Sequence, residues 1–306
     1  MKKFLIIDTF NFLHRAYHAL PKTFTDKEGN PTNAVYGVTS MLINVLNQLK
    51  PNYVVAALDS IEPTFRTEDF TGYKAHRKPM EEDLSSQIPK VFEVLDAFGI
   101  KKITVNGYEA DDIVATLVKM FSDKAEMIVV SNDKDLWQLA GGNVMIMLPN
   151  TKGDGQWLSK DEVVARLGFT PDKIADYKGL RGDPSDNIPG VYGVGEKTAT
   201  TLIQKYGSME EIYKNIDTVK PDSLREKLLN SYEQALMSKK LAQLVYDVPF
   251  TAEFEECKYS EFNKLQVKNI LEQYNFKSLI KRLGFEDGSS VSKKELQENK
   301  DQLGLF

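Results

Sequence analysis

Four short apolar runs in the first 135 residues each lead into a carboxylate. Phe4–Ile7 ends at Asp8, Tyr53–Leu58 at Asp59, Lys101–Val105 runs on to Glu109, and Met127–Val130 to Asp133. Such runs read as buried strands. Helical periodicity lies between them, as in Ala34–Leu49, which stops before Pro51. Val144–Leu148 is a fifth strand. Strands alternating with helices predict an α/β fold, a mainly parallel sheet with helices on both faces. In such sheets, sites form outside the carboxyl ends of the strands. One acid after one strand is unremarkable. Four after four strands would converge along one sheet edge.

The densest stretch runs from Gly107 to Asp135. On a helix, Glu109 and Asp112 share a face, with Asp111 beside them. Asp133 and Asp135 flank Lys134 and point the same way if the strand continues that far. Acids at a helix start also complement the helix dipole, and for the first cluster alone that explanation is as good as a metal site. The strand-end acids favour metal binding. Five gathered carboxylates repel one another. Hard divalent cations such as Mg²⁺ or Mn²⁺ would hold such a cluster through oxygen.

Residues 62–87 interleave aromatics with cations at Phe65-Arg66, Tyr73-Lys74 and Arg77-Lys78, without a clear apolar face. One reading is a solvated helix pair. The other is phosphate contact by Arg66, Lys74 and Arg77, with Tyr73 stacking on a base. Departure of the segment directly after Asp59 favours the second. Further on, Gly190-x-x-Gly193-x-Gly195 precedes Glu196, Lys197 and Thr198. It is not a P-loop, because Glu196 rather than Lys follows the last glycine, and its spacing is not that of a dinucleotide fingerprint. It reads as a glycine hairpin between helices, whose N–H groups suit a nucleic-acid phosphate. A plain tight turn would use glycines too. Asp183 and Asp186 just upstream favour function.

The chain has 306 residues and a net charge of −5, with 42% hydrophobic and 27% charged residues. Two domains are expected. Cys257 is the single cysteine, which excludes an internal disulfide or a cysteine zinc site. His14 and His18 lack a third ligand pattern. The first apolar run breaks at Asp8, too short for a signal peptide core or a membrane span, so a cytoplasmic location and no membrane partner are expected. The acidic balance is unlike many DNA-binding domains, but a dense metal site masks local basic patches.

Together these motifs resemble the flap endonuclease and 5′-nuclease family, in particular the 5′→3′ exonuclease portion of bacterial DNA polymerase I. The resemblance rests on Asp8 with Asn11 and Arg15, Phe65-Arg66, Tyr73-Lys74-x-x-Arg77, Gly107-Tyr-Glu109-Ala-Asp111-Asp112, Asp133-Lys-Asp135-Leu and Gly182-Asp183-x-Ser-Asp186-Asn. It covers roughly residues 1–285, and the chain resembles a stand-alone bacterial enzyme without a polymerase. It implies a PIN-like catalytic domain at 1–172 with a gateway segment at 62–87. A helix–three-turn–helix (helix–hairpin–helix) domain at 173–286 and a tail at 287–306 would follow. It implies Asp8, Asp59, Glu109 and Asp111 on a first metal. Asp133, Asp135 and Asp186 would serve a second, with Asp112 or Asp183 nearby. Lys74 and Arg77 would be catalytic. Asn11, Arg15, Arg66, Tyr73, Lys74, Arg77, Gly190, Gly193, Gly195, Lys197 and Thr198 would contact DNA, and hairpin carbonyls would bind a monovalent cation such as K⁺. The expected substrates are DNA with 5′ flaps, nicks or gaps and RNA primers on DNA, in replication and repair. A non-catalytic DNA-binding scaffold and a PIN-type ribonuclease are the rivals. Finally, Gln302, Leu303, Leu305 and Phe306 are similar to the short peptide that docks bacterial replication proteins on the sliding clamp, although Gly304 departs from its usual form.

Overall fold

The computed structural model describes residues 1–149 and 155–285. The tail residues Gln302, Leu303, Leu305 and Phe306, and the clamp contact expected of them, lie outside the described residues. In chain order the strands are β1 (Lys3–Asp8), β2 (Tyr53–Ala57), β3 (Lys101–Ile103), β4 (Glu126–Val130), β5 (Val144–Leu148) and β6 (Gln156–Leu158). They form one sheet in the order β3-β2-β1-β4-β5-β6, parallel except for β6. The antiparallel edge strand β6 was not anticipated. At three residues, with only Leu158 fully buried, it carries too short a pattern to read.

Before Pro51 come helices α1 (Thr9–Ala19) and α2 (Asn33–Leu49); α3 (Phe65–Asp69), α4 (Glu82–Ser85) and α5 (Ile88–Ala97) follow β2. Helix α6 (Ala110–Phe121) connects β3 to β4, and α7 (Lys160–Leu167) leaves β6. Then come α8 (Ile174–Arg181), α9 (Glu196–Tyr206), α10 (Met209–Lys214), α11 (Asp222–Asn230), α12 (Tyr232–Ala242), α13 (Lys264–Gln273) and α14 (Lys277–Arg282). No described helix is long and apolar enough to cross a membrane.

Alternation along the central strands divides the core. Phe4, Ile6, Val55, Met127 and Val129 face α6 and a cluster that runs on into α8–α12 through Leu180, Val191, Leu202 and Leu228. Leu5, Ile7, Val54, Ile128 and Val130 face α1, α2 and α5. Each such aliphatic side chain contributes about 1.5–3 kcal/mol on burial. A one-residue slip would exchange the two faces, so the register is firmly set. Val267, Leu271, Tyr274, Phe276 and Leu279 join the second cluster. The last two helices therefore return to the sheet domain, although sequence reading had grouped them with the helical module.

Because β1, β2 and β4 run parallel and in register, with Asp8 opposite Ala57 and Ile7 opposite Val130, their carboxyl ends share one edge. That edge carries the acids.

Candidate metal centre

Local backbone chemistry sets each carboxylate. Asp8 caps α1, accepting from Asn11 N at 3.1 Å through Oδ1, while its Oδ2 accepts from Ser131 Oγ at 2.7 Å. Asp59 accepts from Ala110 N at 2.8 Å, tying the end of β2 to the start of α6. Glu109 is the N-cap of α6, so Asp111 lies in that helix's first turn. Asp133 accepts from Asp135 N at 2.8 Å. Strand β4 stops at Val130 and a 3-10 turn begins at Asp135, so a local turn, rather than strand alternation, brings these two acids together. One carboxylate oxygen each from Asp111, Asp133 and Asp135 lie within 4.8 Å of one another.

Asp8, Asp59, Asp111 and Asp133 line a pocket of about 230 Å³ with Asn11, Lys74, Arg77 and Glu109. Burial, opposed by Ser131 and Asn11 and reinforced by Asp59 and Asp133, pushes the Asp8 carboxyl up to about 7. Burial, then the charges of Asp133 and Asp8, holds Asp111 well above the usual carboxylate range. Asp59 and Asp133 are raised as well, mainly by burial. Among the described residues, none of these four forms an ion pair. Unpaired oxygen donors at this density, Asp8 buried and the other three half-buried, suit hard divalent cations.

The opposite rim is paired. Lys74 Nζ lies 2.8 Å from Glu109 Oε1, and Arg77 Nη2 lies 2.5 Å from Asp186 Oδ1. Lys178 bonds both Asp135 and Asp183, the latter at 2.5 Å. Although burial opposes it, Lys178 and Ser185 hold Asp183 down to about 2. Lys178 escaped sequence reading. Its signal is a lysine on the inward face of a helix, one turn before Asp183.

Four of the expected site residues are engaged elsewhere. Asp112 is fully buried and turns away from the acidic pocket to form a bidentate pair with Arg66, at 2.6 and 2.8 Å. Arg66 also donates to the carbonyls of Leu241 and Gln243, so it anchors the helical module and is withdrawn from any phosphate. Tyr73 is 5% exposed and donates to Glu109 at 3.0 Å, leaving no ring face for a base. Gly190 is buried, its N–H on Ser238 Oγ and its carbonyl on Gln234, so it packs within the helical module. Gly193, Gly195 and Lys197 are exposed at the hairpin tip, and Thr198 is half-buried. Asn11 accepts from Asn132 N at 3.0 Å, and the half-buried Arg15 has a buried Nε without a hydrogen-bond partner among the described residues.

Residues 3–168 match the family model described as the N-terminal resolvase-like domain of 5′-3′ exonucleases, and residues 169–265 match their C-terminal SAM fold. The chain belongs to the 5′-3′ exonuclease family. It is 41% identical over 289 residues to DNA polymerase I of Caldicellulosiruptor bescii, covering 93% of this chain and 34% of that protein. To DNA polymerase I of Bacillus subtilis it is 40% identical over 300 residues, covering 97% and 34%. The chain thus spans about a third of the length of these relatives. In fold it is similar to phage T5 5′-exonuclease, determined with zinc ions bound, with TM-score 0.66 and 21% identity over 89% of this chain and 100% of that one. The catalytic core of Rad2 in complex with a DNA substrate gives TM-score 0.59 and 18% identity over 91% of each chain. The expectation of an α/β nuclease of this family is met, with a helical module following the sheet domain.

Proposed function

We propose that this chain is a structure-specific 5′→3′ exonuclease and 5′-flap endonuclease dependent on two divalent cations. It would act on DNA flaps, nicks and gaps and on RNA primers, in bacterial cytoplasmic replication and repair. The observation that carries this reading is the unpaired set of the buried Asp8 and the half-buried Asp59, Asp111 and Asp133 beside Lys74 and Arg77. Those four would hold one cation, with Asp133 in place of the Glu109 that the resemblance implies, since Glu109 is paired with Lys74, and Asp135, Asp183 and Asp186 would hold a second. When bound, such cations supply Lewis-acid activation of water and neutralise charge on the phosphodiester. Oxygen-only donors favour Mg²⁺ or Mn²⁺.

The chain's own side chains do the rest. Lys74 and Arg77 stand at the pocket mouth, where their charge would steady a scissile phosphate as negative charge grows. Glu109 and Asp186 hold both cations in place until substrate arrives. Gly193, Gly195 and Lys197 leave the start of α9 open to a duplex phosphate. A monovalent cation such as K⁺ at the hairpin carbonyls would have to do without that of Gly190, which Gln234 occupies. Should the tail residues 302–306 bind a sliding clamp, their deletion would abolish clamp binding and spare cleavage of free flaps.

Cleavage of matched 5′-flap DNA and RNA, with Mg²⁺ or Mn²⁺ and with chelator, tests the proposal. Chelator-sensitive release of the DNA flap is expected. No cleavage with either metal would leave a DNA-binding scaffold, and cleavage of the RNA substrate alone a PIN-type ribonuclease.

A further inference from the structure

The carboxylates of the site fall into two electrostatic classes. Asp8 and Asp59 meet only hydroxyl and amide donors, Asp133 one amide, and Asp111 nothing among the described residues. Asp135, Asp183 and Asp186 are each paired with a resident cation. Of those cations, Lys178 is the most enclosed, with 9% of its side chain exposed. Its Nζ bonds Asp135 Oδ1 and lies 2.5 Å from Asp183 Oδ2, between two acids that would otherwise share a divalent ion. A buried ammonium in that place supplies one positive charge where a metal would supply two. It must leave, or the two acids must rotate, before a metal can enter.

Space to leave exists. Lys178 lines a second pocket of about 480 Å³, together with Asn11, Asp133, Lys134, Arg181 and Asp183. This pocket shares Asn11 and Asp133 with the acidic one. A flexible four-carbon stem can carry the ammonium across it.

We propose that Lys178 is a resident counter-ion of the second cation position. The free protein takes one divalent ion, on the Asp8–Asp59–Asp111–Asp133 side. It admits a second only when Lys178 moves from Asp135 and Asp183 to the phosphate of an incoming strand. The inference rests on the two-cation reading above. It links substrate to metal reciprocally: DNA raises affinity for the second ion, and that ion raises affinity for DNA. Metal occupancy thereby becomes a check on substrate.

Binding of Mn²⁺ to the full chain without DNA, followed by electron paramagnetic resonance of the free ion, tests this. The wild type should bind one ion per chain. Lys178→Met removes the charge and keeps the length, and should bind a second ion about tenfold or more tighter than the wild type does. Mn²⁺ should raise the melting temperature of the variant more than that of the wild type. Lys178→Gln gives the same readout if the methionine variant does not fold. Two equal ions on the wild type, or no gain in the variants, would overturn the counter-ion role and leave the two-cation reading standing. No Mn²⁺ on any of the proteins would overturn both.

Discussion

Lys74 and Asp186 are joined twice: the Lys74 backbone N–H donates to the Asp186 carbonyl at 2.9 Å, and Nζ lies 4.0 Å from its carboxylate. Lys74 adopts φ +54°, and Asn187, whose side chain donates to Gly72 O at 2.6 Å, adopts φ +58°. Two left-handed residues thus face each other across the seam between the gateway segment and the loop after α8. Strain of this kind persists where the surroundings over-determine it, and it gathers at functional sites.

Replacing Lys74 separates backbone from side chain. Lys74→Ala and Lys74→Gly both remove Nζ, but only glycine relaxes the left-handed backbone. Single-turnover flap cleavage should fall by about 10²–10³ in both. The glycine variant should be the more stable by about 1 kcal/mol. Retained cleavage in either would remove Lys74 from the chemistry.

Arg66 and Asp112 should report mainly on stability, since their pair lies behind the acidic pocket and, among the described residues, Arg66 touches its lining through Glu109 alone, at 3.6 Å. Breaking a buried, hydrogen-bonded pair by truncating one partner costs about 3–5 kcal/mol. Arg66→Ala should therefore lower the denaturation midpoint strongly. DNA affinity, measured under conditions where the variant is folded, should stay near that of the wild type. A large affinity loss in a fully stable variant would return Arg66 to the phosphate interface.

The metal-free protein should lose stability as pH rises. Asp8 titrates near 7 when folded against an ordinary value of 3.8, and Asp59, Asp111 and Asp133 shift the same way. Between those limits the folded chain binds more protons than the unfolded one, so stability is full below about 4 and falls towards 7. A divalent ion replaces those protons. The gap in melting temperature between Mg²⁺ and chelator should therefore widen from pH 5 to pH 8. A constant gap would contradict the assigned cluster.

The sheet and the acidic edge were legible because they follow from periodicity and from where strands end. Asp8, Asp59 and Asp133 are fixed by positions next to strands, which a sequence displays. Partner choice is not displayed. Arg66 and Tyr73 sit in an aromatic–cation pattern that suggests DNA, yet tertiary packing against Asp112 and Glu109 withdraws both. Asp112 follows Asp111 directly, and only the helix phase turns one to the pocket and the other to Arg66. Lys178 was hidden because its partners lie 43 residues before it and on the next turn.

The glycines of the hairpin should divide into a packing glycine and a binding glycine. At Gly190, φ is +63°, and an added Cβ would collide with Gly182 N and lie 2.5 Å from the Arg181 carbonyl carbon. Those atoms are backbone and cannot yield, so Gly190→Ala should cost about 2–3 kcal/mol or more, read by chemical unfolding. At Gly195, φ is −91° and an added Cβ meets nothing within 4 Å, so the alanine variant should stay within about 0.5 kcal/mol of wild type. Its methyl would project from the exposed N-cap of α9, where a phosphate must approach the backbone closely. Duplex affinity of Gly195→Ala should fall about fivefold or more, with the effect shrinking as salt screens the phosphate term. Unchanged affinity at low salt would place the duplex elsewhere on the helical module.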